Sequence, residues 1–186
     1  MGASTTGITI YEEGALKFST VIPIGGDSVT NDIALGARTS IDVAEKLKVN
    51  YSEVGLDELE IKAYDIDLRD VSPTEEGTIS NLYLSQIVTA RYEEIFYFIS
   101  QELKRVGRDG MLPEGAILVG GSVKQQGIIE LAKKSLRLPV FIGIPVEKES
   151  LSETSISDPV FAGVIGSLIL GNRYTSRRKP LNINIS

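Results

Sequence analysis

Val21-Ile22-Pro23-Ile24-Gly25-Gly26-Asp27-Ser28-Val29-Thr30-Asn31-Asp32-Ile33-Ala34 is the stretch on which the reading of this chain turns. It carries a strand into a helix. Ala15 to Ile24 is rich in β-formers and closes on Pro23. Gly25-Gly26-Asp27 then breaks the strand. Asp27 or Ser28 is suited to cap a short helix, whose apolar residues Val29, Ile33 and Ala34 recur at helical spacing.

Upstream, Gly2-Ala3-Ser4-Thr5-Thr6-Gly7 is a run of small and hydroxyl residues, followed by Ile8-Thr9-Ile10-Tyr11 with strand character. Glu12-Glu13-Gly14 supplies a turn, so residues 8–24 read as an antiparallel hairpin. Downstream, a second helix starts near Thr39 or Ser40 with Ile41, Ala44 and Leu47 on its apolar face. Tyr51 to Glu58 is a connector. Leu59 to Leu68 alternates as a half-buried strand, and Asp70 to Gly77 is a loop around Pro73. The longest helix opens at Thr78 or Ser80 and ends before Gly107. Ala116 to Val119 is a short strand, Gln125 to Leu136 a helix and Pro139 to Ile144 a strand. A final helix is capped at Ser157-Asp158-Pro159 and stops at Gly171. This order predicts an α/β fold with a largely parallel sheet and helices packed on it. Residues 1–34 and 78–171 form the main unit, 35–77 a smaller inserted α/β subdomain, and 172–186 a basic, disordered tail.

Composition narrows the chemistry. The chain has no Cys and no His, which removes thiol nucleophiles, disulfides, imidazole acid–base catalysis and Cys/His zinc sites. Net charge is −6, so a nucleic-acid partner is not expected. The last stretch, from Arg173 to Ser186, holds four basic residues and no acid. Val160 to Leu170 is too short to span a bilayer, which takes about 20 residues. No membrane anchor is expected within the chain.

Three places can carry function, and each has a plain alternative. Small residues at Gly2 to Thr6 let backbone N–H groups approach an anion, yet such clusters are usually loops. Val119-Gly120-Gly121-Ser122 links a strand to a helix, the setting of many nucleotide sites and also of ordinary tight turns. It is neither a Walker A loop nor a dinucleotide fingerprint. Glu45 and Lys48 lie three residues apart on a helix, where a solvated pair is the simplest account. Asp65, Asp67 and Asp70 lack the pattern of a calcium loop.

Taken together, these elements occur in one order: a Gly/Ser/Thr hairpin start, a Gly-Gly-Asp turn, a helix with Glu-x-x-Lys, a long helix, and strand–Gly-Gly-Ser–helix. That order resembles the second domain of the actin and heat-shock chaperone ATPase superfamily, a ribonuclease H-like fold with a mixed sheet flanked by helices. Within it, Val21 to Ala34, Thr89-Ala90-Arg91-Tyr92-Glu93-Glu94-Ile95-Phe96 and Gly110-Met111-Leu112-Pro113-Glu114-Gly115 are similar to the FtsA cell-division family.

The resemblance implies ATP and Mg2+ as cofactors. It places Ser4, Thr5 and Thr6 toward the phosphates and Glu45, Lys48, Gly120, Gly121, Ser122 and Lys124 around the adenosine, with Gly25, Gly26 and Asp27 also among the cofactor-binding residues. It implies no catalytic residue of the chain's own, and at most a weak ATPase once a first domain completes the site. The family's metal-holding Asp falls at a position before Met1, so magnesium is expected to be held weakly by these residues alone. Ser122 stands where the family usually has a third Gly. Partners implied are the C-terminal tail of FtsZ, met by Lys62 and Arg91, and further copies in actin-like filaments. The implied location is the cytoplasmic face of the cell membrane, reached through partners. The resemblance also leaves open a PilM-like pilus scaffold that binds a membrane-protein peptide, and half of an actin-fold sugar kinase.

Overall fold

The computed structural model describes residues 1–55, 62–145 and 157–177. It opens with strands β1 (Thr6–Glu12) and β2 (Ala15–Ile22), which pair antiparallel. Glu13 and Gly14 connect them with φ of 52° and 76°, the doubly left-handed turn that matches strand twist in a two-residue hairpin. Along β1, Thr6, Ile8 and Ile10 point into the core while the alternate residues face out.

Two helices follow, α1 (Gly26–Ala37) and α2 (Ile41–Tyr51). The cap of α1 differs from expectation. Gly25 takes the cap position and no side chain bonds there, because Asp27 already lies inside the first turn. The Ser40 side chain accepts a hydrogen bond from the Val43 amide at the start of α2, as a serine cap should. On α2 the buried residues are Val43, Ala44 and Leu47. Ile41 is exposed, since it sits in the first turn beyond the edge of the packing stripe.

Of the strand expected over Leu59 to Leu68, residues 59–61 lie outside the described residues. Only β3 (Asp65–Asp67) is extended, and it pairs antiparallel with β4 (Thr78–Ser80). Leu68 instead opens the short helix α3 (Leu68–Val71), because the Asp67 carboxylate accepts from the Arg69 amide and caps it. The long helix α4 (Asn81–Arg105) is the spine of the molecule. Its residues Leu84, Val88, Tyr92, Ile95, Phe96, Ile99 and Leu103 are buried at helical spacing. At its start the buried Asn81 side chain donates to Lys62 O and accepts from the Tyr64 amide, which fixes the chain entering β3.

Beyond α4 come β5 (Ala116–Leu118), α5 (Ile128–Leu136) and β6 (Val140–Ile142), with β5 and β6 parallel. The helix expected from Gln125 begins later, at Ile128. A separate 3₁₀ turn covers Gly121–Lys124, and Gly127 at φ 83° interrupts the two. The last helix, α6 (Ala162–Arg177), runs through Gly171 without stopping. A glycine inside a helix costs about 1 kcal/mol, too little to end it against a favourable run. Residues 178–186 lie outside the described residues. Parallel and antiparallel pairing are both present, but among the described residues no ladder joins the hairpin to the β5–β6 pair.

One ion network ties α1 to α4. Arg91 donates from Nε to Asp32 Oδ2 at 2.5 Å and from Nη2 to Asp32 Oδ1 at 2.9 Å, a two-pronged pair, and from Nη1 to Glu94. Arg91 and Asp32 side chains are each 28% exposed, so water screens the pair only partly. Hydrogen bonds to Asp32 hold the guanidinium pKa above its ordinary value. A double-mutant cycle of Arg91→Ala and Asp32→Ala in urea unfolding should give a coupling of about 1–3 kcal/mol. Additive effects would show that the helices do not depend on this pair.

Candidate functional site

The amino-terminal loop, the start of α1, α2 and the turn after β5 converge on one groove. Backbone contacts set the geometry. Gly26 N donates to Gly2 O at 3.0 Å, and Asp27 N donates to Ala3 O at 2.8 Å. This crossing requires glycine at position 25, because a Cβ there would lie 2.4 Å from Ala3 O. Gly120 is equally constrained. Its φ is 106°, and a Cβ would lie 2.3 Å from Met1 O. The Ser122 hydroxyl donates to Gly2 O at 2.9 Å. Serine at 122 is thus structural, since its side chain bonds the amino-terminal loop to the turn after β5.

α2 contributes the polar wall. Lys48 Nζ donates to Glu45 Oε2 at 2.6 Å, Thr30 Oγ1 at 2.8 Å and Gly26 O at 3.2 Å. Its side chain is 12% exposed, while that of Glu45 is 49% exposed. Lys48 therefore braces α1 against α2 with all three of its protons, and Glu45 turns its accepting face toward the groove. The solvated pair expected from sequence is instead a partly buried clamp.

Across from them, the 3₁₀ turn brings Gly121, Ser122 and Lys124. Lys124 Nζ donates to Asp158 Oδ2 at 2.7 Å, which joins the turn to the start of the last helical segment. That bond is the main reason the Asp158 pKa lies below the usual carboxylate range. Tyr92 forms the floor. It is 1% exposed and donates from its hydroxyl to Ser122 O at 3.1 Å.

The groove holds roughly 260 Å³. Of the expected nucleotide residues, Gly26, Asp27, Glu45, Lys48, Gly121, Ser122 and Lys124 line it. Ser4 stands just behind, donating to Asp27 Oδ2 at 2.7 Å. Gly25 and Gly120 shape the backbone there rather than lining the space. Thr5 accepts from Gly2 N through its carbonyl, and Thr6 is 2% exposed with its hydroxyl bonded to Ile24 O. Thr6 therefore braces the strand end from inside. Ala3, Val49, Tyr92 and Gln125 also line the groove, and sequence reasoning missed them. Tyr92 enters the sequence reading only within the family-like stretch Thr89 to Phe96, and nothing in its spacing marks its hydroxyl as reaching the turn. Lys62 and Arg91 lie elsewhere. Lys62 is exposed near Asn81, and Arg91 is engaged by Asp32 and Glu94. No group of three or more acidic residues that could hold a metal occurs among the described residues. No helix among them is long and apolar enough to cross a membrane.

Comparison with known proteins decides the family. The family described as "Cell division protein FtsA" matches residues 1–166. The chain belongs to the FtsA family. FtsA of Pseudomonas aeruginosa is 35% identical over 184 residues, covering 99% of this chain and 44% of that protein. FtsA of Bacillus subtilis is 32% identical over 146 residues, covering 78% of this chain and 32% of its own length. The chain thus spans less than half the length of these FtsA relatives. Among solved structures, MreB5 of Spiroplasma citri bound to ADP superposes with a TM-score of 0.71 at 19% identity, covering 95% of this chain and 53% of that one. The PilM–PilN pilus biogenesis complex superposes at 0.62 and 17% identity, covering 92% and 44%. The fold is the actin-like α/β fold.

The floor of the groove should report on its own state. Burial first, and then the nearby Glu45 charge, push the Tyr92 pKa up to about 12 from 10.0. The folded state thus prefers the protonated phenol. Its contribution is complete below pH 10 and is lost as pH rises through 10 toward 12. The total is about 2–3 kcal/mol. Urea unfolding across that window should fall more steeply for the wild type than for Tyr92→Phe. Equal slopes would show that the phenol ionises as freely folded as unfolded.

Proposed function

We propose that this chain forms one wall of an adenine-nucleotide cleft in an actin-like cell-division protein of the FtsA family. The observation that carries the reading is the meeting of the Glu45–Lys48 clamp with the Gly121–Lys124 turn across one groove, with Ala3 and Asp27 at its end. Glu45 can accept from ribose hydroxyls. The adenine would lie against the backbone of Gly120 to Ser122 and the Lys124 stem. The phosphates would point toward Ser4 to Thr6 and Gly25 to Asp27, where backbone amides of the amino-terminal loop would be the donors, since the Ser4 hydroxyl and the Gly26 and Asp27 amides are already bonded within the protein. Magnesium would be held mainly through the nucleotide's own phosphate oxygens and water, with Asp27 the nearest carboxylate. Lys48 orients Glu45 rather than neutralising phosphate, since its protons are already taken.

With one wall alone, ATP should bind at roughly millimolar affinity, worth about 4 kcal/mol. Calorimetry should show ATP binding above GTP. Gly121→Val should weaken it while leaving the fold intact, because Gly121 lines the groove and a Cβ at 121 meets only Val160 Cγ2 at 3.9 Å. Equal binding of GTP, or an unaffected variant, would refute the adenosine assignment.

The partner reading extends from the same family resemblance. The C-terminal tail of FtsZ would lie across the smaller subdomain and α4, with its carboxylates near Lys62 and Arg91, and further copies would stack into filaments. Arg91 would have to share its fork with Asp32 and Glu94. Arg91→Ala should therefore weaken binding of a labelled FtsZ tail peptide by about 1–3 kcal/mol. Asp32→Ala, which disturbs the helix pair but releases Arg91 from Asp32, should not weaken it. Equal losses would mean that the fold, not a contact, was read. The structural likeness to the PilM–PilN complex keeps a pilus-type peptide as the second reading, and its binding in place of the FtsZ tail would favour that.

A further inference from the structure

α4 packs against α1 on one side, where Arg91 holds Asp32, and against α5 on another. Glu93, Tyr97, Ser100 and Lys104 recur at helical spacing, so they form one stripe on the side of α4 turned away from Arg91. Lys134, Ser135 and Arg137, at the end of α5, stand across from that stripe. An open groove of roughly 430 Å³ lies between, and every residue lining it belongs to α4 or to α5 and its cap.

The groove is charged unevenly. Lys104 and Lys134 sit in the last turns of their helices, and Arg137 caps α5. Asp109 joins these two ends, accepting from the Ser100 hydroxyl at 3.3 Å and from Arg137. Lys133 is paired with Glu130, whereas Lys134 makes no ion pair among the described residues. Glu93 lies at the opposite end of the stripe. Cations in a last turn also complement the helix dipole. That accounts for charges on flat helix ends, but not for a hollow between them or for the aromatic side chain along it. Tyr97 is 57% exposed and Phe98 40%, and their rings meet edge to face with centroids 5.8 Å apart. Exposed aromatic rings are a mark of interaction surfaces.

We infer that the α4–α5 groove is a docking site for a short acidic peptide segment of a partner protein, with its carboxylates at Lys104, Lys134 and Arg137 and an apolar or aromatic side chain on Tyr97. Charge complementarity sets the acidic end, in a chain whose net charge is −6. Distance argues for a peptide over a lone anion. Tyr97 and Lys104 are seven residues apart on one helix, about 10 Å, and a single phosphate meets only one of them. An extended segment covers about 10 Å in three residues, so the acids stand three or four residues from the apolar side chain. Glu93 favours a neutral or basic residue at the far end. Arg137 shares its guanidinium with Asp109, which leaves Lys134 as the main anchor. The site faces away from Arg91, so it does not rest on the FtsZ-tail reading.

The test uses the 186-residue chain and a labelled, end-blocked peptide in which phenylalanine is followed three and four residues later by glutamates. The reversed sequence is the second probe, because the groove fixes the order of charges and not the chain direction. Fluorescence anisotropy should show saturable binding of one of the two. Lys134→Glu should weaken it about fivefold, the scale of an exposed ion pair reversed. Lys133→Glu, the same charge change one residue away and outside the groove, should change it less than about twofold. Tyr97→Ala should cost about fivefold, and so should alanine in place of the peptide's phenylalanine. The two changes together should cost little more than either alone, because they remove one contact. No saturable binding of either probe, equal losses for Lys133→Glu and Lys134→Glu, or fully additive aromatic changes would overturn the proposal. Displacement of the peptide by inorganic phosphate at equal concentration would also overturn it, in favour of a small-anion site. Sedimentation showing a dimer of the chain that Lys134→Glu dissociates would do the same, since it would make a second copy the occupant.

Discussion

The carbonyl oxygen of Gly2 is the point on which the site depends. It accepts from Gly26 N at the start of α1 and from the Ser122 hydroxyl after β5, two segments far apart in the chain. Met1 O adds a longer bond from Ser122 N at 3.4 Å. A carbonyl with two lone pairs is well used by two donors, and leaving either unmade away from water would cost roughly 1–3 kcal/mol. The knot allows no side chains at the crossings. A Cβ on Gly25 would overlap Ala3 O, and one on Gly120 would overlap Met1 O.

Around this knot the charged groups are braces first. Lys48 spends its protons on Glu45, Thr30 and Gly26, and Lys124 bonds Asp158. Each fixes a neighbouring element and leaves a carboxylate or backbone edge facing the groove. This division suits recognition of a neutral, hydrogen-bonding group such as a nucleoside better than recognition of bare phosphate. Phosphate is commonly met by free cations or by a helix amino terminus. At the groove that terminus is the start of α1, and its first two amides are taken by Gly2 O and Ala3 O.

Much of this is legible in sequence because period and turn chemistry are local. The hairpin of residues 6–22 can be read from alternation and from Glu13-Gly14. α4 can be read from its long apolar repeat. The convergence of Glu45, Lys48 and Gly121 is not a matter of spacing; it comes from the order of elements shared with a known family. What escapes is tertiary. Asp32 gives no sign that its partner is Arg91, far along the chain on another helix, and Tyr92 gives no sign that its hydroxyl meets Ser122 O. Thr6 looks like its neighbours Ser4 and Thr5, yet strand alternation turns it inward. The end of α6 escapes for a local reason: a single glycine at 171 costs too little to stop a helix by itself.

α1 connects the two regions that matter most. Its first turn meets the groove through Gly26 and Asp27, its second offers Thr30 to the Glu45–Lys48 clamp, and Asp32, two residues further, holds Arg91 on α4. All of this lies within a helix of 12 residues, about 18 Å long and stiff on that scale. Thr30 and Asp32 project from different sides of it, so one rigid body carries the clamp on one side and the ion network on the other. The link is thus a chain of named hydrogen bonds through one element, with the clamp and the ion network restraining the same helix from opposite sides.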